Sequence, residues 1–354
     1  MLKTMITGSL PKPSWLADAK AELRAPWAVG AESLAEAQDD AVRLAIADQV
    51  AADLDIVTDG EERRRHYIWG FLDGLSGIDT TRLAKKVTRG GRYGPPVPVP
   101  RIVGELKRTG PVLVDGLRFA LGQTDRPVKV TLPGPMTIVD SVVDEHYGGS
   151  EADLAMRFAD ILNAEARDLA AAGAAIVQFD EPCFNVYVDK VADWGVAALE
   201  RAAQDVGATR AVHICYGYGI GTVLAWKSQN QSWGEYGVTL PLLEKSGIDE
   251  ISVECAASGV DLSVLGTLKT KGVMVGVIDV GTEEVETPDQ VASRIRAALA
   301  HIDAERLIPC TDCGLVPRSR SAARGKMKAL AEGARQVRES LVGKRTTAES
   351  PANR

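Results

Sequence analysis

Four side chains able to bind a soft divalent metal fall at the ends of predicted strands. His213 and Cys215 lie in AVHICYG, Glu254 closes EISVE, and Cys313 sits in LIPCTDCG. Successive side chains on a strand alternate faces, so His213 and Cys215 point the same way. Two thiolates, one imidazole and one carboxylate complete a tetrahedral shell for a single zinc ion (Zn2+). A thiol that coordinates such an ion gives up its proton, so the chemistry on offer is the conversion of sulfur into a nucleophile. Cys310 and Cys255 are alternative ligands that spacing leaves open, although Cys255, next to Glu254, faces the opposite side of an extended strand. The pair Cys310 and Cys313 also reads as a redox motif or as half of a structural zinc site. A structural Cys3His site built from His213, Cys215, Cys310 and Cys313 is therefore the non-enzymatic alternative. A single cysteine is usually a small buried hydrophobe; the placement of all four groups at strand ends favours the metal.

Something must bring these distant residues together. Short β-branched runs at residues 3–7, 55–58, 128–132, 175–179, 211–214, 250–253, 272–278 and 306–309 alternate with helical patterns. The clearest helices cover 38–52, 151–172, 193–205, 288–300 and 321–341. Ser150 ahead of Glu151, and Thr287 ahead of Pro288, are helix-start signals. Eight strands alternating with helices predict a parallel sheet, and eight closes a barrel, whose catalytic groups gather at the C-terminal strand ends. The expected fold is one α/β (β/α)8 barrel (a TIM barrel) over residues 1–342, with a doubly wound open sheet as runner-up. Residues 63–101, rich in Arg, Gly and Pro, form a long excursion after the second strand. Residues 343–354 read as a disordered polar tail.

Composition narrows the class. Of 354 residues, 45% are hydrophobic and 25% charged, which suits a globular core. A formal net charge of −7 argues against a nucleic-acid binder. Five cysteines argue against a disulfide framework. No run of about 18 apolar residues occurs to span a membrane, and the N-terminus does not read as a signal peptide. The cytoplasm is the expected compartment. Gly217-Tyr218-Gly219-Ile220-Gly221 lacks the third glycine of a dinucleotide fingerprint, with Thr222 in its place. It reads as a mouth loop. Trp226 and Trp233, further along, read as packing residues or as the lining of an entrance.

The ordered words ITGSLPKP, VTDGE, LPGPMTI, QFDEP, HICYG, ISVE and CTDCG resemble the C-terminal catalytic barrel of cobalamin-independent methionine synthases, over nearly the whole chain. The single-barrel length is similar to the short "core" members. The resemblance implies zinc held by His213, Cys215, Glu254 and Cys313. It implies homocysteine as substrate, bound by Thr7, Gly8, Ser9, Glu61 and Asp180, and methylated on sulfur to give methionine. Glu61 and Asp180 suit an ammonium group; Ser9 and nearby amides suit a carboxylate. Glu254 is expected to yield its place on zinc to the substrate thiolate, because two cysteines, a carboxylate and a fourth anion would leave the site at −2.

The chain departs from the family in places that bear on the methyl donor. Gly281, in VIDVGTEEVET, occupies the position of the family's catalytic histidine, and Ser141 that of the aromatic residue that stacks on the pterin. Polyglutamyl methyl-folate bound as in the two-barrel enzyme is therefore not the expected donor; a corrinoid, free methylcobalamin or a methyl group delivered by a partner protein is favoured, and methyl-folate in another binding mode stays among the candidates. Candidate replacement acids are Asp279, His66 and His146, and Asp279 could instead orient His213. The alternative enzyme reading keeps the zinc-thiolate chemistry and changes the thiol, for example to coenzyme M.

Overall fold

The structure is a computed structural model that describes residues 1–17 and 26–348. Six strands run parallel in one sheet: β3 (Lys129–Pro133), β5 (Ile176–Asp180), β6 (Thr209–Ile214), β7 (Glu250–Val253), β8 (Gly272–Ile278) and β9 (Leu307–Thr311), in that spatial order. Residues 3–7 and 55–58 complete the ring without continuous ladders. The Met5 amide donates to Pro309 O, the Ile56 amide to Thr4 O at 3.1 Å and the Val57 amide to Pro127 O at 3.0 Å. Val57 and Val128 form an isolated parallel bridge. The expected first two strands are irregular because side-chain oxygens take over ladder bonds. Asp55 Oδ2 accepts the Thr4 amide, Thr4 Oγ1 that of Asp55, and Thr311 Oγ1 that of Thr7.

Helices pack outside the strands. Glu151–Ala171 buries Leu154, Phe158, Leu162 and Leu169 along one stripe, and the Ser150 side chain accepts the Asp153 amide at its start. Pro288–Ala298 opens with a capping box between Thr287 and Gln290. The last helix, Arg320–Ala348, runs past Gly343, where the sequence suggested a tail. Residues 349–354 lie outside the described residues. No helix among the described residues is long and apolar enough to cross a membrane.

The excursion is not a bare loop. It forms an antiparallel hairpin of β1 (Leu75–Lys86) and β2 (Val97–Arg108), extended by the short parallel β4 (Val143–Asp144). The hairpin's turn carries Arg89, Gly90, Gly91 and Gly94 at positive φ. Arg89, buried, anchors it by bonds to Asp140, Ser141 and the Tyr67 hydroxyl. That anchor sets Tyr93 at the barrel mouth.

Strand alternation stacks the barrel interior in layers. Met5, Ile56, Ile176, Ala211, Met274 and Ile308 form an apolar floor together with Cys310. One step up, Lys129 Nζ donates to Ile6 O at 2.7 Å and to Gln178 Oε1 at 2.8 Å. Gln178 Nε2 then donates to Thr7 O at 3.0 Å and Asp180 Oδ1 at 2.8 Å. Above this closed polar layer lie the residues of the mouth.

Candidate metal centre and thiol site

β6 places His213 and the residue after it places Cys215; the turn after β9 places Cys313. One ligand atom from each lies within 4.8 Å of the other two, and this is the one such buried group among the described residues. Cys215 Sγ and Cys313 Sγ are 3.7 Å apart and are free thiols. Among the described residues His213 Nε2 has no hydrogen-bond partner although it is buried. Its other nitrogen, Nδ1, meets Ser252 Oγ at 2.8 Å. A hydroxyl accepting from Nδ1–H leaves the Nε2 lone pair free and aimed at the thiols, as a metal-binding imidazole requires. Ser252, not Asp279, orients His213. It stands directly opposite His213 in the β6–β7 register.

Electrostatics agree with a centre prepared for a cation. The thiol proton of Cys313 donated to Cys215 holds Cys215 well below the usual thiol range, and Cys313 is raised correspondingly. Burial, the largest single influence, lowers His213, but the Cys215 thiolate and Asp180 together more than offset it, so its pKa is raised. Two sulfurs and an imidazole nitrogen converging in this way form a donor set that fits zinc.

Glu254 is adjacent but outside the converging set. Its Oε1 accepts from Lys227 Nζ at 2.6 Å and its Oε2 from the Tyr216 amide at 2.9 Å. Cys310 belongs to the apolar floor, with Thr7 Oγ1 at 3.8 Å from its sulfur. Cys255 lies on the far side of Glu254; its amide and those of Ala256 and Ala257 are gathered by Asp312.

A cleft of about 360 Å3 opens above the triad, lined among others by Thr7, Ser9, Glu61, Asp180, Tyr93 and Tyr218. Four of the five residues that the resemblance assigns to the substrate, all but Gly8, thus line one cleft. Asp180 lies at the end of β5, beside His213 in register, and burial pushes its carboxyl up to about 7. Glu61 accepts from Thr131 Oγ1 at 2.8 Å, and buried Arg64 braces the same threonine. Ser9 Oγ is buried with no partner among the described residues. Gly314 makes this possible, since a Cβ there would sit 2.0 Å from Ser9 Oγ. Neighbouring Glu181 acts as an acidic residue at a strand end commonly does: it accepts the Met136 and Thr137 amides and so fixes the helix that follows LPG.

The candidate acids separate. His66 lines a second cavity of about 500 Å3 with Trp69, Arg89, Val97, Val99 and Ser141; this cavity shares Tyr67 and Tyr93 with the cleft. His146 is exposed against Tyr147 and lines neither. Asp279 closes a local turn by accepting the Gly281 amide at 2.6 Å. Trp226 packs under the Arg92 guanidinium, and Trp233 packs on Tyr216.

Comparison with known proteins decides the lineage. Residues 2–336 match the family described as the cobalamin-independent synthase catalytic domain. The chain belongs to the cobalamin-independent methionine synthase family. Family members are methyltransferases of methionine biosynthesis, and the α/β barrel described above is the family fold. The chain is 31% identical to the methionine synthase of Sulfurisphaera tokodaii, over 97% of this chain and 95% of that one. Its identity to the methionine synthase of Saccharolobus solfataricus is 32%, over 96% of each. Among solved structures, a B12-independent methionine synthase from Shewanella sp. W3-18-1, in complex with selenomethionine, superposes with a TM-score of 0.93. That match has 45% identity and covers 97% of this chain and 99% of that one. A Listeria monocytogenes protein at 18% identity and TM-score 0.67 shares the fold.

Proposed function

We propose that this protein is a zinc-dependent homocysteine S-methyltransferase, acting through one catalytic barrel over residues 1–342. The observation that carries the proposal is the buried, unpartnered His213 Nε2 facing Cys215 and Cys313 beneath a cleft walled by Ser9, Glu61 and Asp180. His213, Cys215 and Cys313 would hold the metal, with Glu254 within reach as a fourth donor. The ion, when bound, supplies a Lewis acid that keeps the substrate's sulfur as a thiolate at neutral pH.

The chain's own residues do the rest. Glu61 and Asp180 pair with the substrate ammonium, and the free Ser9 hydroxyl donates to its carboxylate. Ser252 keeps the His213 ring turned toward the centre. Tyr67, Tyr93 and Tyr218 narrow the mouth and limit water around the sulfur. The solved Shewanella relative carries selenomethionine, the selenium counterpart of the product, which is in keeping with this substrate class. Two carboxylates in the cleft disfavour a sulfonate thiol such as coenzyme M. The remoteness of Cys310 from the triad disfavours a structural Cys3His zinc.

The donor enters on the side of the second cavity. Ser141, which stands there in place of the ring that the family stacks on a pterin, is held by the Arg89 guanidinium; we therefore assign the donor to a corrinoid or a partner-delivered methyl group. A leaving group that needs a proton would find His66 on the wall of that cavity, with its Nδ1 accepting the Ile68 amide at 3.2 Å. The test is direct: L-homocysteine is supplied with methylcobalamin or methyl-folates, with and without cell extract, and products are read by mass spectrometry. Methionine is the expected product; methylated coenzyme M in its place, when both thiols compete, would overturn the assignment.

A further inference from the structure

Lys227 and Glu254 form an ion pair that the proposed reaction has not yet used. Both are buried, Glu254 completely, and their charged atoms are 2.6 Å apart. Lys227 comes from the helix Gly221–Gln229, outside the ring of strands, and reaches back over the mouth loop, where it also meets Gly217 O at 3.3 Å. The Tyr216 amide takes the second carboxylate oxygen. Tyr216 and Gly217 follow Cys215 directly, so the carboxylate is docked against the backbone of a metal ligand without itself joining the triad.

A buried lysine needs a partner, and so does a buried carboxylate. A neutral imidazole, two thiolates and a divalent cation sum to zero. One further anion brings the centre to −1, and two bring it to −2. A substrate thiolate therefore competes with the Glu254 carboxylate, and the carboxylate that loses is left buried beside it. Without a cation at hand, that outcome is penalised by an unpaired charge. With Lys227 in place, the displaced carboxylate finds a hydrogen-bonded, neutral pairing already built.

Resting on the zinc and homocysteine assignment above, we propose that Lys227 is a positioning residue: it provides the docked state of Glu254, and thereby allows substrate sulfur to occupy the fourth position of the His213–Cys215–Cys313 centre. The proposal predicts opposite effects on the two ligands of the site. Removing the Lys227 charge makes the centre more negative, which favours Zn2+ and opposes a thiolate.

The experiment compares wild type, Lys227→Met and Lys227→Arg. Zinc affinity is read by chelator competition on the apo-protein, and L-homocysteine affinity by calorimetry on the zinc-loaded protein; circular dichroism verifies folding. Lys227→Met is expected to hold zinc as tightly as wild type or more so, and to bind homocysteine at least tenfold more weakly. Lys227→Arg recovers homocysteine binding to within about threefold. Lys227→Gln, which keeps a donor but no charge, replaces the methionine variant should that one not fold, with the same expectation. Homocysteine affinity within threefold of wild type in the uncharged variant overturns the proposal. Parallel loss of zinc and homocysteine also overturns it, since that marks a purely structural lysine. Wild-type protein that binds zinc but no homocysteine, or no zinc at all, defeats the underlying assignment instead.

Discussion

Two polar layers lie one above the other inside this barrel, and they differ in how their atoms are used. In the lower one, Lys129 donates to Ile6 O and Gln178 Oε1, and Gln178 donates in turn to Thr7 O and Asp180 Oδ1. In the upper one, among the described residues, His213 Nε2 has no hydrogen-bond partner, the two thiols face each other and that nitrogen, and Ser9 Oγ has no partner either. Burying a polar group without a partner costs about 1–3 kcal/mol. The lower layer avoids this cost, so it needs nothing from outside. The upper layer leaves it standing at a common point, which a cation and an amino-acid substrate would relieve. Cysteine chemistry follows the same division: Cys310 packs in the floor, whereas Cys313, three residues on, faces the triad.

The sharpest way to break this comparison is to remove one member of each layer. Cys215→Ala should abolish zinc retention and lower methionine formation by roughly a thousandfold or more, as loss of a ligand to a catalytic metal predicts, while the melting temperature changes little. Lys129→Met should do the reverse. It leaves Ile6 O and Gln178 Oε1 without a donor and costs roughly 3 kcal/mol of stability in denaturant titration, with zinc stoichiometry intact.

Glu62 tests whether one orphan atom is enough to mark a site. Its Oε2 is buried and unpartnered among the described residues, yet no metal-binding group assembles around it. Burial, the largest influence, raises its carboxyl to about 8 from an ordinary value of 4.5. The folded state therefore binds this proton more tightly than the unfolded chain, and the stability this proton contributes is lost as pH rises from 4.5 through 8. Glu62→Gln should flatten that slope and raise stability by roughly 5 kcal/mol at pH 8.5, with no gain at pH 4. The smallest effect belongs to Cys310→Ala, expected to cost roughly 1 kcal/mol through a minor cavity and to leave zinc content unchanged. Zinc loss there would erase the distinction between the layers.

Much of the upper layer was legible because its signals are local. His213 and Cys215 are two apart on a strand, and alternation alone places them on one face. Ser252 was available by the same rule, two residues before Glu254, but a serine in a strand carries no metal signature. Lys227 gave no signal, since nothing in the sequence links position 227 to position 254 before the mouth loop folds. The barrel's closure was foreseen, yet residues 3–7 and 55–58 make few ladder bonds because Thr4, Asp55 and Thr311 side chains substitute for backbone partners. The excursion hid its hairpin behind prolines and glycines, and with it the role of Tyr93, which belongs to both cavities. Charge counting anticipated that Glu254 can stand off the centre, but not what would receive it.

X-ray absorption at the zinc edge, recorded on purified protein before and after saturation with L-homocysteine, tests the central claim most directly. The account predicts one zinc per chain, bound by one imidazole and two sulfurs from the protein, with a third sulfur entering when homocysteine is added. A protein without zinc, a resting centre with three protein sulfurs, or a shell that homocysteine leaves unchanged would contradict it.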